Sequence, residues 1–578
     1  MIGVDYYPEH WDSDLNQLPQ MANDLIIMKE NGIELIRVGE FAWHVLESEE
    51  GTYNFTLLDK LFELTRNLGI KIIIGTPSAT PPAWLIKKHP EILQKDDMGH
   101  VRHFGSRRHY CYNSHIYKVY VDKIVNKLSE RYGKMENLYA WQIDNEFGCE
   151  DTTFCYCEKC DLAFQKFLET KYHSIEDLNR DWGTVFWSQQ YNDFAQIETP
   201  KRTNALRNPH QLLDFYRFST QSIMDFAQMQ IDTIKRYSDK PITHNLMTNF
   251  VEIDYKKMES QYDFISFDNY HFGNDFKPWF TGMNFDLMWS LQRKPFTVME
   301  QQPGRVNWQV RNVYYDSQWM ERISRQALSQ GAENIVYFRY RADPFGSEQY
   351  HNGILNYDGN PERSKRLQVC KQLSEQKPLE RKKSRIGIYF DYEVAWMHRI
   401  NGVNKDFDYV TAIMELYRPL FENGEQVDFL FKDSDFSHYD YLIIPYALHL
   451  PDRVLQAVEY AEAKVIITCM SAMKDERNHI LSETPLGINM RGIHFEITDF
   501  GAIFSERLKM ADGDEIDADM WFEEHYLIKG QSVAEYTKDE RRGHSPVILS
   551  DDRQTLYVGT ITDHKGWQKL YRSVGLLY

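Results

Sequence analysis

The sequence predicts a closed (β/α)8 TIM barrel over residues 1–378, followed by a smaller open α/β domain over residues 384–578. Three observations carry that reading. Short β-rich runs alternate with amphipathic helical ones from residue 2 to about 340, the pattern of a parallel sheet wrapped in helices. Helical segments end at glycines such as Gly69 and Gly133 and are followed by an apolar strand. Polar residues recur where each of eight strands would end, and in such a barrel that rim carries the chemistry. A doubly wound open sheet would call for a glycine-rich phosphate turn, and no G-x-G-x-x-G follows any of these strands.

The expected strands are residues 2–6, 34–38, 71–74, 138–143, 242–246, 264–267, 296–299 and 335–338. Their runs of Ile, Val, Leu and Phe suit strands buried on both faces. Helical segments between them include 15–31, 57–68, 116–132 and 212–237. The strand ends read in order Asp5-Tyr6-Tyr7-Pro8-Glu9-His10, Arg37-Val38-Gly39-Glu40, Thr76-Pro77-Ser78, Asn145-Glu146, His244-Asn245, Asp268-Asn269-Tyr270, Glu300 and Arg339-Tyr340-Arg341. One polar end means little, but eight in register predict a polar floor around one pocket. Past Pro378 a basic stretch, 381–385, precedes a new apolar run at 386–390. Further strands are expected at 441–444 and 465–468, with a helix over 451–463 and a last strand at 556–560. Cys469 follows a strand, as a thiol nucleophile does in glutaminase-like domains. No elbow glycines flank it, so a buried, inert thiol is expected.

Two strand ends carry glutamate: Trp141-Gln142-Ile143-Asp144-Asn145-Glu146 and Phe296-Thr297-Val298-Met299-Glu300. An isolated Asn-Glu pair is ordinarily a solvated loop start, but a second carboxyl group in the same setting changes its meaning. Two carboxyl groups facing one cleft are the minimum apparatus for cleaving a glycosidic bond. One donates a proton to the leaving oxygen while the other faces the anomeric carbon. A separation of about 5–5.5 Å leaves no room for water and gives a covalent intermediate with retention. Spacing alone leaves open which glutamate takes which role. Asn145 is placed to bond the hydroxyl beside the anomeric carbon.

Composition excludes other classes. The 66 basic against 85 acidic residues give a net charge of −19, which argues against nucleic acid or an acidic membrane as partner. The 36 Tyr and 13 Trp suit stacking on sugar faces, although large α/β enzymes also use them for packing. The first residues lack a secretory signal, and no apolar run approaches the ~18 residues of a membrane span. The expected location is cytoplasmic. No organic cofactor is expected.

The runs Gly3-Val4-Asp5-Tyr6-Tyr7-Pro8-Glu9-His10-Trp11, Arg37-Val38-Gly39-Glu40-Phe41-Ala42-Trp43 and Trp141 to Gly148 strongly resemble the β-galactosidases of glycoside hydrolase family 42. So do Trp182-Gly183-Thr184-Val185-Phe186-Trp187-Ser188-Gln189, the run from Glu300 to Trp308, the run from Pro344 to Gly353, and Phe390-Asp391-Tyr392-Glu393. The resemblance implies a retaining, exo-acting enzyme that removes terminal β-D-galactose, with Glu146 as acid/base and Glu300 as nucleophile. It also implies galactose contacts from Arg37, Asn145, Trp187, Trp308, Glu348 and His351. Read without it, Trp187 and Trp308 are ordinary packing residues. An α-L-arabinopyranosidase of the same fold is the near alternative, since that sugar lacks only the hydroxymethyl group. A galactoside-binding protein without turnover is the alternative of another class, and the intact glutamate pair argues against it. The aglycone is open: lactose, plant galactans and host oligosaccharides all fit.

Cys155-Tyr156-Cys157-Glu158-Lys159-Cys160 puts three thiols within six residues, and Cys111 lies upstream. Such a set can complete a tetrahedral thiolate site for zinc, structural because no position is left for water. Members of the resembled family hold zinc at similar cysteines. Cys149 falls outside the pattern, and His103, His109 or His115 are possible substitute ligands. Family members usually carry a β-sandwich after the α/β domain; here it is expected to be missing or vestigial. Many are trimers in which the second domain meets a neighbouring barrel, so a homotrimer is a further expectation.

Overall fold

The structure, a computed structural model, describes residues 1–11, 18–271, 277–376, 379–481, 486–538 and 541–577. The expected helix start at positions 15–17, the boundary at Pro378 and Tyr578 lie outside these residues. Eight parallel strands build the first domain: β1 (Ile2–Asp5), β2 (Ile33–Val38), β3 (Lys71–Gly75), β4 (Leu138–Gln142), β5, β6 (Ser266–Asn269), β7 (Phe296–Gln301) and β8 (Ala332–Tyr337). The fifth, expected to be continuous, is split by His244 into Ile242–Thr243 and Asn245–Met247. Its first half pairs β4 and its second half pairs β6, so the ring closes across the break. β1 closes the other side against β8, with Ile2 opposite Ile335.

The helices wrap this ring through apolar stripes. Thr56–Leu68 buries Leu57, Leu58, Leu61, Phe62 and Thr65 and ends at Gly69 in the left-handed conformation, φ 68°. Each such buried Leu or Phe contributes about 1.5–3 kcal/mol by leaving water. Gly133, expected as a similar stop after His115–Tyr132, is right-handed with φ −57°. Its role is close approach: a Cβ there would stand 2.5 Å from the Ser129 carbonyl and 2.8 Å from that of Tyr237.

Inside the barrel, Leu35, Ile73, Ala140, Met299 and Val336 form a small apolar layer, packed by Met1, Tyr139 and Phe264. Two residues further along β2 and β4 the same face presents Arg37 and Gln142, both buried. An apolar plug below and a polar layer above give the site its floor.

In the second domain a parallel sheet runs in the order Val427–Leu430, Ile386–Tyr389, Tyr441–Ile444, Lys464–Thr468, Thr555–Val558. Where the sequence pointed to a missing or vestigial β-sandwich, the structure has an antiparallel layer built into this domain. It comprises Gly487–Met490, Ile493–Gly501, Glu506–Met510, Glu515–Lys529, Gln531–Tyr536 and Val547–Leu549. Cys469 is fully buried, and burial pushes its thiol well above the usual range. The domains meet through buried polar contacts. Asp286 accepts from Arg381, Gln330 and Tyr417, and Glu393 accepts from Arg217 and Lys257. No described helix is long and apolar enough to cross a membrane.

Candidate active site

Simple alternation along β7 would turn Glu300 away from the barrel interior, because Met299 before it points in. The register with β6 slips between Val298 and Glu300, and the register with β8 slips between Val298 and Gln301. This irregularity re-aims Glu300 into the mouth beside Asp268. There Glu300 Oε1 accepts from Arg37 Nη2 at 2.7 Å, and Oε2 accepts from the Tyr270 hydroxyl at 2.6 Å. Arg37 is completely buried; it is ion-paired with Asp5 at 2.7 Å and also donates to Glu40 at 3.0 Å and Gln142 at 3.2 Å.

After β4 the backbone twists sharply: Asp144 and Glu146 are left-handed, with φ 52° and 46°. Each costs about 1 kcal/mol or more for a residue with a side chain, and the surroundings offset it. Five successive amides are each held by a side chain. Asp144 donates to Thr76, Asn145 to the Asp144 carboxylate, Glu146 to Asn245, Phe147 to His244 and Gly148 to Tyr112. His244, the residue that breaks β5, donates from Nδ1 to the Ile143 carbonyl at 2.7 Å and accepts at Nε2. Burial keeps this ring neutral, its pKa lowered to about 4.

Glu146 is 8% exposed. Its Oε2 accepts from Arg108 Nη1 at 3.1 Å and from Asn145 Nδ2 at 3.2 Å, and Arg107 lies 3.8 Å away. Arg108 continues to Glu150 at 2.9 Å. Oxygens of Glu146, Asp268 and Glu300 all lie within 4.8 Å of one another. Burial raises Glu146, but Arg108, Arg107 and Arg37 outweigh it and hold the carboxyl below its ordinary value. Glu300 ends above its ordinary value: burial raises it, Arg37 pulls it down and Glu146 pushes it up.

Glu146, Glu300 and Asp268 open into a pocket of about 770 Å³, walled by Tyr7, Phe41, Tyr270, Trp308, Phe338 and Phe345 among others. Trp308 stands edge-on to Tyr270 at 5.4 Å, and Glu348 accepts from Arg339 at 2.8 Å. His351 lines the same wall; burial and then Arg339 hold it neutral, down to about 3. Asn145 sits under Glu146, and Arg37 lies behind Glu300. Trp187 is not brought to this pocket. It lies on the short turn Phe186–Ser188, 62% exposed, tilted against the Phe186 ring and bordering a separate depression. The sequence reading gave no role to Arg107 and Arg108 and saw Asn245, Asp268 and Tyr270 only as polar strand ends. The last three had one signal, their place at or beside such ends; the two arginines, on the long stretch between β3 and β4, had none.

The sulfurs of Cys111, Cys155, Cys157 and Cys160 also lie within 4.8 Å of one another, and all four residues are buried. Cys111 to Cys160 is 3.4 Å, Cys111 to Cys157 3.6 Å and Cys157 to Cys160 3.8 Å. Four thiolates about 2.3 Å from one zinc would stand about 3.8 Å apart, so the set fits that ion. Asn113 donates to the Cys160 sulfur at 3.4 Å, the support expected for a thiolate ligand. Among the described residues no histidine joins the group. His109 is buried elsewhere, against Phe104.

A family model described as β-galactosidase, that of glycoside hydrolase family 42, matches residues 5–378, and the β-galactosidase trimerisation domain matches residues 384–575. A β-galactosidase of Thermus thermophilus is 36% identical over 506 residues, 84% of this chain and 78% of its own. A second, from Haloferax lucentense, is 35% identical over 498 residues, 83% and 74% of the two chains. The solved β-galactosidase of Halorubrum lacusprofundi superposes with a TM-score of 0.92 at 29% identity, covering 99% of this chain and 89% of its own.

Proposed function

The chain belongs to the β-galactosidases of glycoside hydrolase family 42, and from that premise we propose how its side chains divide the reaction. The enzyme is a retaining glycosidase acting on β-galactosides. Glu300 is the nucleophile: Arg37 and Tyr270 bond both its oxygens, favouring the carboxylate and aiming it across the pocket floor. Glu146 is the acid/base. It protonates the departing glycosidic oxygen, then accepts the proton of the water that hydrolyses the galactosyl ester on Glu300. The observation that carries this is the spacing: carboxyl oxygens within 4.8 Å, beside the about 5–5.5 Å typical of retaining pairs. Asn145, Trp308, Glu348 and His351 supply polar and aromatic surface for one galactose ring. Trp187 has no such place within one chain.

The test is hydrolysis of p-nitrophenyl β-D-galactopyranoside by wild type, Glu300→Gly and Glu146→Ala, with azide added. Azide should give α-galactosyl azide from Glu300→Gly and β-galactosyl azide from Glu146→Ala; exchanged products would reverse the roles.

Cys111, Cys155, Cys157 and Cys160 would hold a structural zinc that ties the loop after Glu146 to the barrel. Seven free thiols, four of them needed reduced for this site, support a reducing, cytoplasmic compartment. A homotrimer is the proposed assembly, supported by the trimerisation domain over 384–575. Light scattering should then report a mass near three times the 68.7 kDa of one chain; the mass of a single chain refutes it.

A further inference from the structure

Glu146 must hold a proton at the instant the glycosidic bond breaks, yet it sits against Arg108 at 3.1 Å with Arg107 at 3.8 Å, and both favour its carboxylate. A third carboxyl group lies within reach. Asp268, on β6, is 1% exposed, and its Oδ2 accepts from Asn245 Nδ2 at 2.6 Å. Its Oδ1 is buried and has no hydrogen-bond partner among the described residues. Among the described residues no arginine or lysine is paired with it, whereas Glu146 has Arg108 and Glu300 has Arg37.

We propose that Asp268 is the resting seat of the proton that Glu146 delivers, so that the two carboxyl groups act as one proton-sharing pair and Asp268 is a positioning residue. This rests on Glu146 being the acid/base. The charged and titratable groups around the pair are Glu300 from β7, Arg37 from β2, Tyr270 beyond β6, and Arg107 and Arg108 on the Glu146 side. Burial, then Glu300 and Glu146, push the Asp268 carboxyl well above its ordinary range, while Arg37 and Asn245 pull it down less. The Asp268 carboxyl is among the groups whose nearness shifts Glu146.

The protons balance. At rest Asp268 is neutral while Glu146 and Glu300 are carboxylates. With substrate bound, the Asp268 proton passes to Glu146 and from there to the leaving oxygen as Glu300 forms its ester with the anomeric carbon. Asp268 and Glu146 are then both carboxylates. When water cleaves the ester, its proton goes to Glu146 and returns to Asp268, and Glu300 is a carboxylate again.

The experiment compares wild type with Asp268→Asn, which keeps an oxygen for Asn245 but cannot store a proton. Methyl β-galactoside needs acid help to leave; 2,4-dinitrophenyl β-galactoside does not. The loss in kcat/KM should be roughly 30- to 100-fold for the methyl glycoside and several times smaller for the dinitrophenyl one, at or below the low end of the about 100- to 10,000-fold that losing a general acid outright costs, because Glu146 itself remains. The alkaline limb of the methyl-glycoside profile should move down by about one pH unit, since Glu146 must now hold the proton against Arg108 alone. On a Glu146→Ala background, adding Asp268→Asn should cost less than about twofold, because the two act as a unit. Equal losses on both substrates with an unmoved profile, or full additivity with Glu146→Ala, would make Asp268 a merely structural partner of Asn245 and overturn the proposal. Glu146→Ala alone, read by its azide product, decides the acid/base assignment separately. If the amide variant does not fold, Asp268→Ser is measured with the same substrates.

Discussion

Replacing Glu393 by glutamine removes one negative charge from the seam between the domains while keeping the side chain's shape. Glu393 opens the helix Tyr392–Asn401 of the second domain and accepts from Arg217 Nη2 at 2.5 Å and Nε at 3.1 Å, with Lys257 at 3.4 Å. Burial alone would raise its pKa, but Arg217, then Lys257 and Lys432, push it down to about 2 from 4.5. At roughly 1.4 kcal/mol per pH unit that interval is worth about 3 kcal/mol at neutral pH. Its sign follows from the direction of the shift. The folded-state pKa is depressed, so the stabilisation is fully present above 4.5 and is lost as pH falls towards 2. At pH 3.5 about 2 kcal/mol should remain. Thermal melting of wild type and Glu393→Gln at pH 7 and pH 3.5 reads the difference. If the second domain melts as a unit of its size, the gap at pH 7 should be about 6–12 °C. It should narrow by about a third at pH 3.5. A gap that stays constant or widens on acidification would refute the ionic account of this seam.

Tyr270→Phe removes the 2.6 Å bond to Glu300, one of the contacts that keeps that carboxyl ionised. The acidic limb of kcat/KM should therefore move to higher pH, and kcat should fall by at least about tenfold, as for losing one charge-assisted bond of about 1.5–3 kcal/mol; an unmoved limb counts against it. Elemental analysis of protein purified without added metal should find one zinc per chain. Cys160→Ser should lose it and lower the melting temperature; a metal-free wild type with unchanged melting refutes the structural site.

The barrel was readable because its strands are buried on both faces. Runs such as Ile72-Ile73-Ile74 or Phe296-Thr297-Val298-Met299 have no competing reading, and each stops at a polar residue on the rim. The antiparallel layer was not. Glu506–Met510 buries alternate residues only, and Glu515–Lys529 carries so much charge that it reads as solvated chain until its partner strands supply the second face. In the site, Glu146 and Glu300 declared themselves by ending strands. Arg107 and Arg108 did not, because loop residues reach Glu146 only through the folding of the chain after β3. The register slip in β7 that aims Glu300 inwards leaves no mark in the composition. Trp187 shows the reverse: a residue singled out by motif that stands exposed on the turn carrying it.

The position of Thr555–Val558 in the second sheet bears on how the molecule assembles as it is synthesised. The barrel's last strand to emerge is β8, ending at Tyr337, and its partner β1 is already available. The other sheet must wait: Lys464–Thr468 keeps an open edge until residues some ninety positions later arrive to cover it. During that interval a flat, apolar parallel strand faces the cell unpaired, the kind of edge that invites the wrong partner. The barrel, complete first, is then the template against which the late domain docks, with Asp286 and Arg217 already in place to receive it.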